Sequence, residues 1–311
     1  MRTAERVFGA LVLFALASSA LLIALLAALL PRGFAVVTRG VADPASAVAF
    51  LVLVLATLGV ALGLTSLLRQ LLATLSLIRT LLSRRVTVSR RLAALSASLG
   101  LAGRIDVVRD VRPFSFCYWF RRPRICLSTG LIRRLDDGEL RAVLLHERYH
   151  LKQRDPLRLV IARYFAAGLY VVPVVDELVA YYTVQKEVAA DQAAVRAMGG
   201  VRALASALFK ALPEADEVDL GLLVPVGPLS VTEARIDQLV DGRGVPLALS
   251  RASIALSSGA LAGAAILAFS GAVPPAAFAV PALLAPATLL LVAAASGAAH
   301  QVRLVLVRSG R

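Results

Sequence analysis

Two uncharged runs of 23 residues, Phe8 to Leu30 and Ser46 to Leu68, most constrain how this chain folds. Each is long enough, as a helix, to cross a hydrocarbon core about 30 Å thick, where every backbone polar group must be satisfied within the segment. Two more apolar runs, about 252–272 and 279–299, follow near the C-terminus with Pro-containing turn sequence between them. Apolar residues make up 59% of the 311, against about 45–50% in soluble domains. The first run is too long for the apolar part of a signal peptide, about 7–15 residues, and passes straight into Pro31-Arg32. The expectation is an integral membrane protein with four spans: a hairpin in 1–68, a polar middle region in 69–251, and a second hairpin with a short tail in 252–311.

Arginine placement orients it. Between Arg69 and Arg91 there are six arginines and no acid, which marks the cytoplasmic side. The loop from Pro31 to Ala45 carries only Arg32, Arg39 and Asp43 and suits the outside, while Arg303, Arg308 and Arg311 follow the last span. Both termini and the middle region are therefore expected in the cytoplasm. The formal charge of +14 rests on 31 arginines and three lysines. Many flank membrane segments, where topology and anionic lipid headgroups account for them. No zinc-finger spacing, phosphate loop or aromatic-basic motif accompanies them, so direct nucleic-acid binding is not expected.

The chemistry sits at His146-Glu147-Arg148-Tyr149-His150, in a chain with only three histidines. The i, i+4 spacing puts both imidazoles on one helix face, where they can hold one zinc ion while Glu147 reaches its water as general base. Asp136 and Glu139 form a capping-box pattern ahead of it, Leu140, Val143, Leu144 and Leu151 recur at helical spacing, and Asp155-Pro156 reads as the N-cap of a new helix. A catalytic zinc usually has three protein ligands. His300 lies beyond a long apolar segment, so Glu187 is the better third candidate. Asp191, one turn later, can accept the free N–H of a bound histidine. A solvated helix face carrying Lys186 and Arg196 is the competing reading of that stretch.

These motifs resemble the gluzincin zinc peptidases, which pair H-E-x-x-H with a downstream E-x-x-A-D; residues 187–191 match the second motif letter for letter. The resemblance extends through Pro113-Phe114-Ser115-Phe116, Ile125 to Ile132 and Glu139 to His146. It is to the membrane-bound peptidases typified by HtpX and by the BlaR/MecR antirepressors, over about residues 84–240. It implies His146, His150 and Glu187 as ligands of one zinc per chain, Glu147 as base and Asp191 as the partner of a bound histidine. Glu233-Ala234-Arg235-Ile236 resembles the arginine element that closes the family's catalytic domain, so Arg235 is a candidate at the site, a structural salt bridge being the other reading.

The resulting expectation is a multi-pass α-helical membrane protein with a mixed α+β zinc-metallopeptidase domain. Residues 157–175 are apolar except for Arg158 and Arg163. They are expected as a helix in the interface or against the spans, since His150 and Glu187 must reach one metal. Residues 92–103 read as a short helix and Ile105 to Val108 as a strand. Phe114, Ser115 and Phe116 lie on a strand whose open edge could take a substrate peptide, although the aromatics read equally well as core. Cys117 and Cys126 flank a turn around Arg121-Arg122-Pro123, could face each other across strands, and should be reduced. The implied partners are a protein substrate and the lipid bilayer. A cytoplasmic repressor is favoured as that substrate by Arg148-Tyr149 and Asp155-Pro156, and quality control of membrane proteins is the alternative. A catalytically silent scaffold is the reading from another class. The chain ends 12 residues after Ala299, so no penicillin-sensor domain is expected.

Overall fold

The computed structural model describes residues 2–40, 44–119, 122–211, 235, 238–239 and 249–269. They are mostly helical, with one small mixed sheet. Helices α1 (Arg2–Arg39) and α2 (Pro44–Leu82) carry the first two apolar runs. Both are long and apolar enough to cross a membrane, and only 22% of the most apolar stretch of each is buried. Leu13, Leu16 and Ile23 on α1 and Val54, Leu58 and Leu62 on α2 are exposed. Large apolar side chains exposed along both helices suit an apolar surrounding such as lipid.

Both helices outlast their runs. Pro31, expected to open a loop, lies inside α1. Its φ is already helical, and the cost is one missing N–H bond to the preceding turn. The helix stops only at Gly40, whose φ of 83° and N–H bond to Val36 O (2.9 Å) form a left-handed cap. Helix α2 runs on to Leu82 because nothing after Leu68 breaks it and because Ile78 and Leu81 are buried with Val108, Phe114, Tyr118 and Cys126.

Strands β1 (Arg85–Val86), β2 (Ile105–Val108), β3 (Ser115–Tyr118) and β4 (Arg124–Ser128) form a sheet in the order β1-β2-β4-β3. Strands β2 and β4 are parallel and the other pairs antiparallel, which leaves β3 at an edge. Between β1 and β2 lies α3 (Arg90–Ser98), shorter than the expected 92–103; Gly100 and Gly103 beyond it have φ of 67° and 70°. Ile105, Val107, Ile125 and Leu127 belong to the main core with Leu140 and Leu144. The other face carries Val108, Cys126, Phe114 and Tyr118 against the end of α2. On that face buried Asp106 accepts from Arg124 and from the Tyr118 hydroxyl, tying β2 to the β3–β4 hairpin. Although burial opposes it, Arg124 holds the Asp106 carboxyl below its ordinary value.

The register corrects one expectation. Cys126 pairs with Phe116, and Cys117 with Ile125. Side chains alternate along a strand, so the two thiols lie on opposite faces of the sheet and do not meet. Both are free, and burial raises both thiols.

Then follow α4 (Thr129–Arg134), α5 (Asp137–Gln153), α6 (Asp155–Gly168), α7 (Val174–Met198), α8 (Arg202–Ala211) and α9 (Arg251–Phe269). Residues 157–175 are not one helix: α6 ends at Gly168, a turn follows, and α7 begins at Val174. The expected third span lies on α9 as far as Phe269. The fourth, 279–299, lies outside the described residues, as do His300 and the arginines of the tail.

The chain divides into two compact units. One holds the start of α1, Leu64–Tyr164 and, from Leu178, most of α7 with α8. The other holds the apolar bodies of α1 and α2, Phe165–Glu177 and α9. Within this second unit the Tyr170 hydroxyl donates to Leu55 O (3.2 Å), and Glu177 accepts from Ser250 N (2.9 Å) and Ser253 Oγ (2.7 Å).

Candidate active site

Helix α5 is fixed at its N-terminus by the capping box that its sequence announces. Glu139 N–H donates to Asp136 Oδ1 (2.8 Å), and Asp136 N–H donates back to Glu139 Oε2 (2.9 Å). Glu139 Oε1 also accepts from Ser206 Oγ and Lys210 Nζ, both at 2.6 Å, which binds α8 to the same cap. Burial alone would raise the Glu139 carboxyl, yet Lys210 and Ser206 bring it down to about 2. Leu140 and Leu144 are fully buried in the core with the sheet's inner residues. His146, Glu147 and His150 are buried as well, and the two imidazoles meet Glu187 and Asp191 of α7.

Three donor atoms converge. His146 Nε2 and His150 Nε2 lie 3.0 Å apart, and Glu187 Oε2 lies 3.4 and 3.5 Å from them. A tetrahedral zinc with bonds of about 2.0–2.1 Å sets its ligand atoms about 3.3 Å apart, so this triangle has the size that one such ion requires. The outer nitrogens are already committed. His146 Nδ1–H donates to Asp191 Oδ1 (2.8 Å), and His150 Nδ1–H donates to Asp155 Oδ2 (2.6 Å). With the proton on each Nδ1, both Nε2 lone pairs point at each other and at a carboxylate oxygen. Buried lone pairs converging in this way fit a cation.

Charge makes the same case. Among the described residues, the carboxylates of Glu147, Asp155, Glu187 and Asp191 surround the triangle with the cations Lys186 and Arg235. Neutral histidines leave two formal negative charges, which one divalent ion offsets. The imidazoles already register this excess. Burial disfavours their charged form, yet Glu187 and Asp155 push His150 up to about 10, and Asp191 raises His146. Against the same burial, Lys186 and His150 hold Glu187 well below the ordinary carboxylate value, and Arg235 holds Asp191 down.

Glu147 is 4% exposed. Its Oε1 accepts from Ser115 Oγ at 2.7 Å, and its Oε2 is buried with no hydrogen-bond partner among the described residues. Ser115 therefore decides which oxygen is free. Phe114, just before β3, and Phe116, on the face of β3 opposite Ser115, pack against the end of α2. Arg235 joins the site through Asp191, donating from Nε (2.7 Å) and Nη2 (2.8 Å).

Residues 35–236 match the family model described as BlaR1 peptidase M56. The chain belongs to that family. This M56 member is accordingly a membrane-associated metallopeptidase, a hydrolase that acts on protein or peptide substrates and depends on a metal ion. No curated protein matches the chain.

Two residues of the site were not picked out from the sequence. Asp155 reads there as a helix cap, but its side chain turns back to His150, and Tyr182 donates to its other oxygen (3.4 Å). Lys186 reads as part of a solvated face, but is 5% exposed and donates to Glu187 Oε1 at 2.7 Å. An acid five residues beyond the second histidine of this M56 chain was the available signal for Asp155. Nothing local marked Lys186.

Partners of metal-bound histidines contribute about 10–100-fold to metal affinity. Asp155→Ala is therefore expected to weaken metal binding by about that factor while the helical content holds. Competition with a chromophoric chelator measures it. An affinity within twofold of wild type would show that Asp155 does not hold His150 for a ligand.

Proposed function

We propose that this M56 peptidase is a multi-pass zinc endopeptidase that cleaves a soluble transcriptional repressor at the cytoplasmic face of the membrane. The observation that carries the reading is the buried triangle of His146, His150 and Glu187, with a glutamate next to His146 that has one oxygen unpartnered among the described residues. His146, His150 and Glu187 would hold a zinc ion, which would supply a Lewis acid and activate a water near neutral pH. Glu147 takes that water's proton at Oε2 and returns it to the leaving amine. Ser115 keeps Oε1 occupied and so holds Oε2 towards the reacting atoms. Asp191 and Asp155 hold the imidazoles in the Nδ1–H tautomer, and Arg235 keeps Asp191 ionised and in place. The edge strand β3 offers main-chain groups to which an extended substrate can add. Because Ser115 lies on that strand, a peptide paired there runs past Glu147.

The arginines between Arg69 and Arg91 support a cytoplasmic catalytic region. Reporters active only outside the cell should work when inserted near Asp43 or Pro275 and fail near Asp137 or after Arg311. Strong activity from an insertion at Asp137 would turn the topology over. The substrate class is tested by comparing proteomes of cells carrying wild type and Glu147→Gln. One repressor-like protein should accumulate in the mutant, whereas a broad rise in unrelated membrane proteins would favour quality control.

A further inference from the structure

We propose that Lys186 is a positioning residue of the metal site, which confines Glu187 to a single donor oxygen and keeps the bound ion electrophilic. The inference rests on the reading of His146, His150 and Glu187 as ligands. Lys186 sits where lysines are rare. A lysine on a helix ordinarily lays its stem along apolar surface and keeps the ammonium in water. Lys186 is instead 5% exposed, beside a site crowded with ionisable groups. Burying an ammonium is costly unless it is paired, and its partner is specific: Nζ lies 2.7 Å from Glu187 Oε1.

Lys186 thereby sorts the two oxygens of Glu187. Oε1 belongs to the ammonium. Oε2 faces the imidazole nitrogens at 3.4 and 3.5 Å, with Arg235 Nη1 more distant at 3.8 Å. A carboxylate with both oxygens free can close on a cation through both. That would add electron donation and fill the position which a catalytic zinc keeps open for water and substrate. The ammonium also reduces the negative charge that the four surrounding carboxylates impose on the ion. Both effects make the bound ion a stronger Lewis acid, at the expense of how tightly it is held. A lysine serving only as a strut would act the other way, since its removal would loosen Glu187 and with it the metal.

The test uses the full-length protein in detergent, with zinc and cobalt(II) as the probes. Wild type should give the intense visible bands of four-coordinate cobalt. Lys186→Met should bind zinc at least as tightly as wild type, while its cobalt bands weaken to about half as coordination rises to five. Its cleavage of an unfolded fluorescent casein should fall by about tenfold or more through kcat, with KM little changed. Lys186→Arg should keep the wild-type spectrum. If Lys186→Met does not fold, Lys186→Gln retains a hydrogen bond without the charge, and should bind zinc more tightly with unchanged cobalt bands. Zinc affinity lowered tenfold or more in either folded variant, Lys186→Met spectra and kcat equal to wild type, or a Lys186→Gln affinity no higher than wild type would overturn the inference. Failure of the underlying reading looks different, because the wild-type protein itself would then take up neither ion.

Discussion

Glu147→Gln is expected to keep its metal and to lose peptide cleavage by a factor of about 10²–10⁴, the range associated with a positioned general base. The substitution is nearly isosteric, and the amide oxygen can still accept from Ser115 Oγ in the place of Oε1. The other position, buried and free of partners among the described residues, then holds an NH2 that has no lone pair to offer a proton. Binding and fold are retained while proton transfer is lost, so the fall should appear in kcat. Metal analysis and cleavage of a fluorescent casein on the same preparation measure the two quantities together. A variant cleaving within tenfold of wild type would remove Glu147 from the role of base.

Glu187→Ala should empty the site. It removes one of three donors and also leaves Lys186 buried without its partner. Breaking a buried pair on one side costs about 3–5 kcal/mol, so some loss of stability should accompany the loss of metal. Glu187→Gln separates the two effects, because its carboxamide oxygen can accept from Lys186 while no charged donor remains for the ion. Zinc content should fall from one per chain to near zero in the alanine variant after dialysis, and cleavage should disappear with it. In the glutamine variant the melting temperature should recover more than the metal does. If the alanine variant keeps stoichiometric zinc at wild-type affinity, the third ligand is another group.

Local pattern made several parts of this protein legible. The i, i+4 spacing of His146 and His150 sets both on one face of any helix that forms there, and Glu187 with Asp191 repeats the rule on α7. Asp136 and Glu139 announce the start of α5, and their capping box is present. The strand at Ile105–Val108 and the helical nature of the two apolar runs also follow from composition and period. The ends of those runs do not. Helix α1 continues through Pro31, and α2 continues to Leu82, because packing and the absence of a terminating residue outweigh the point at which the apolar run stops.

Backbone period alone sets which side chains share a face within one element, and that much can be read along the chain. Which elements meet was decided only by tertiary structure, because burial and pairing depend on residues far apart in the chain. Asp155 has a cap's sequence but lies within reach of His150 once α6 turns away from α5, and there it accepts a charge-assisted hydrogen bond in place of a capping one. Lys186 has a surface residue's sequence, yet it is buried in the fold with Glu187 as its counter-charge. Phe114 and Phe116 look like a binding face until the end of α2 covers them, which turns Ser115 of the same strand towards Glu147. In each case the local signal was correct about side-chain periodicity and silent about the neighbour across the gap, whose charge or apolar surface set the residue's role.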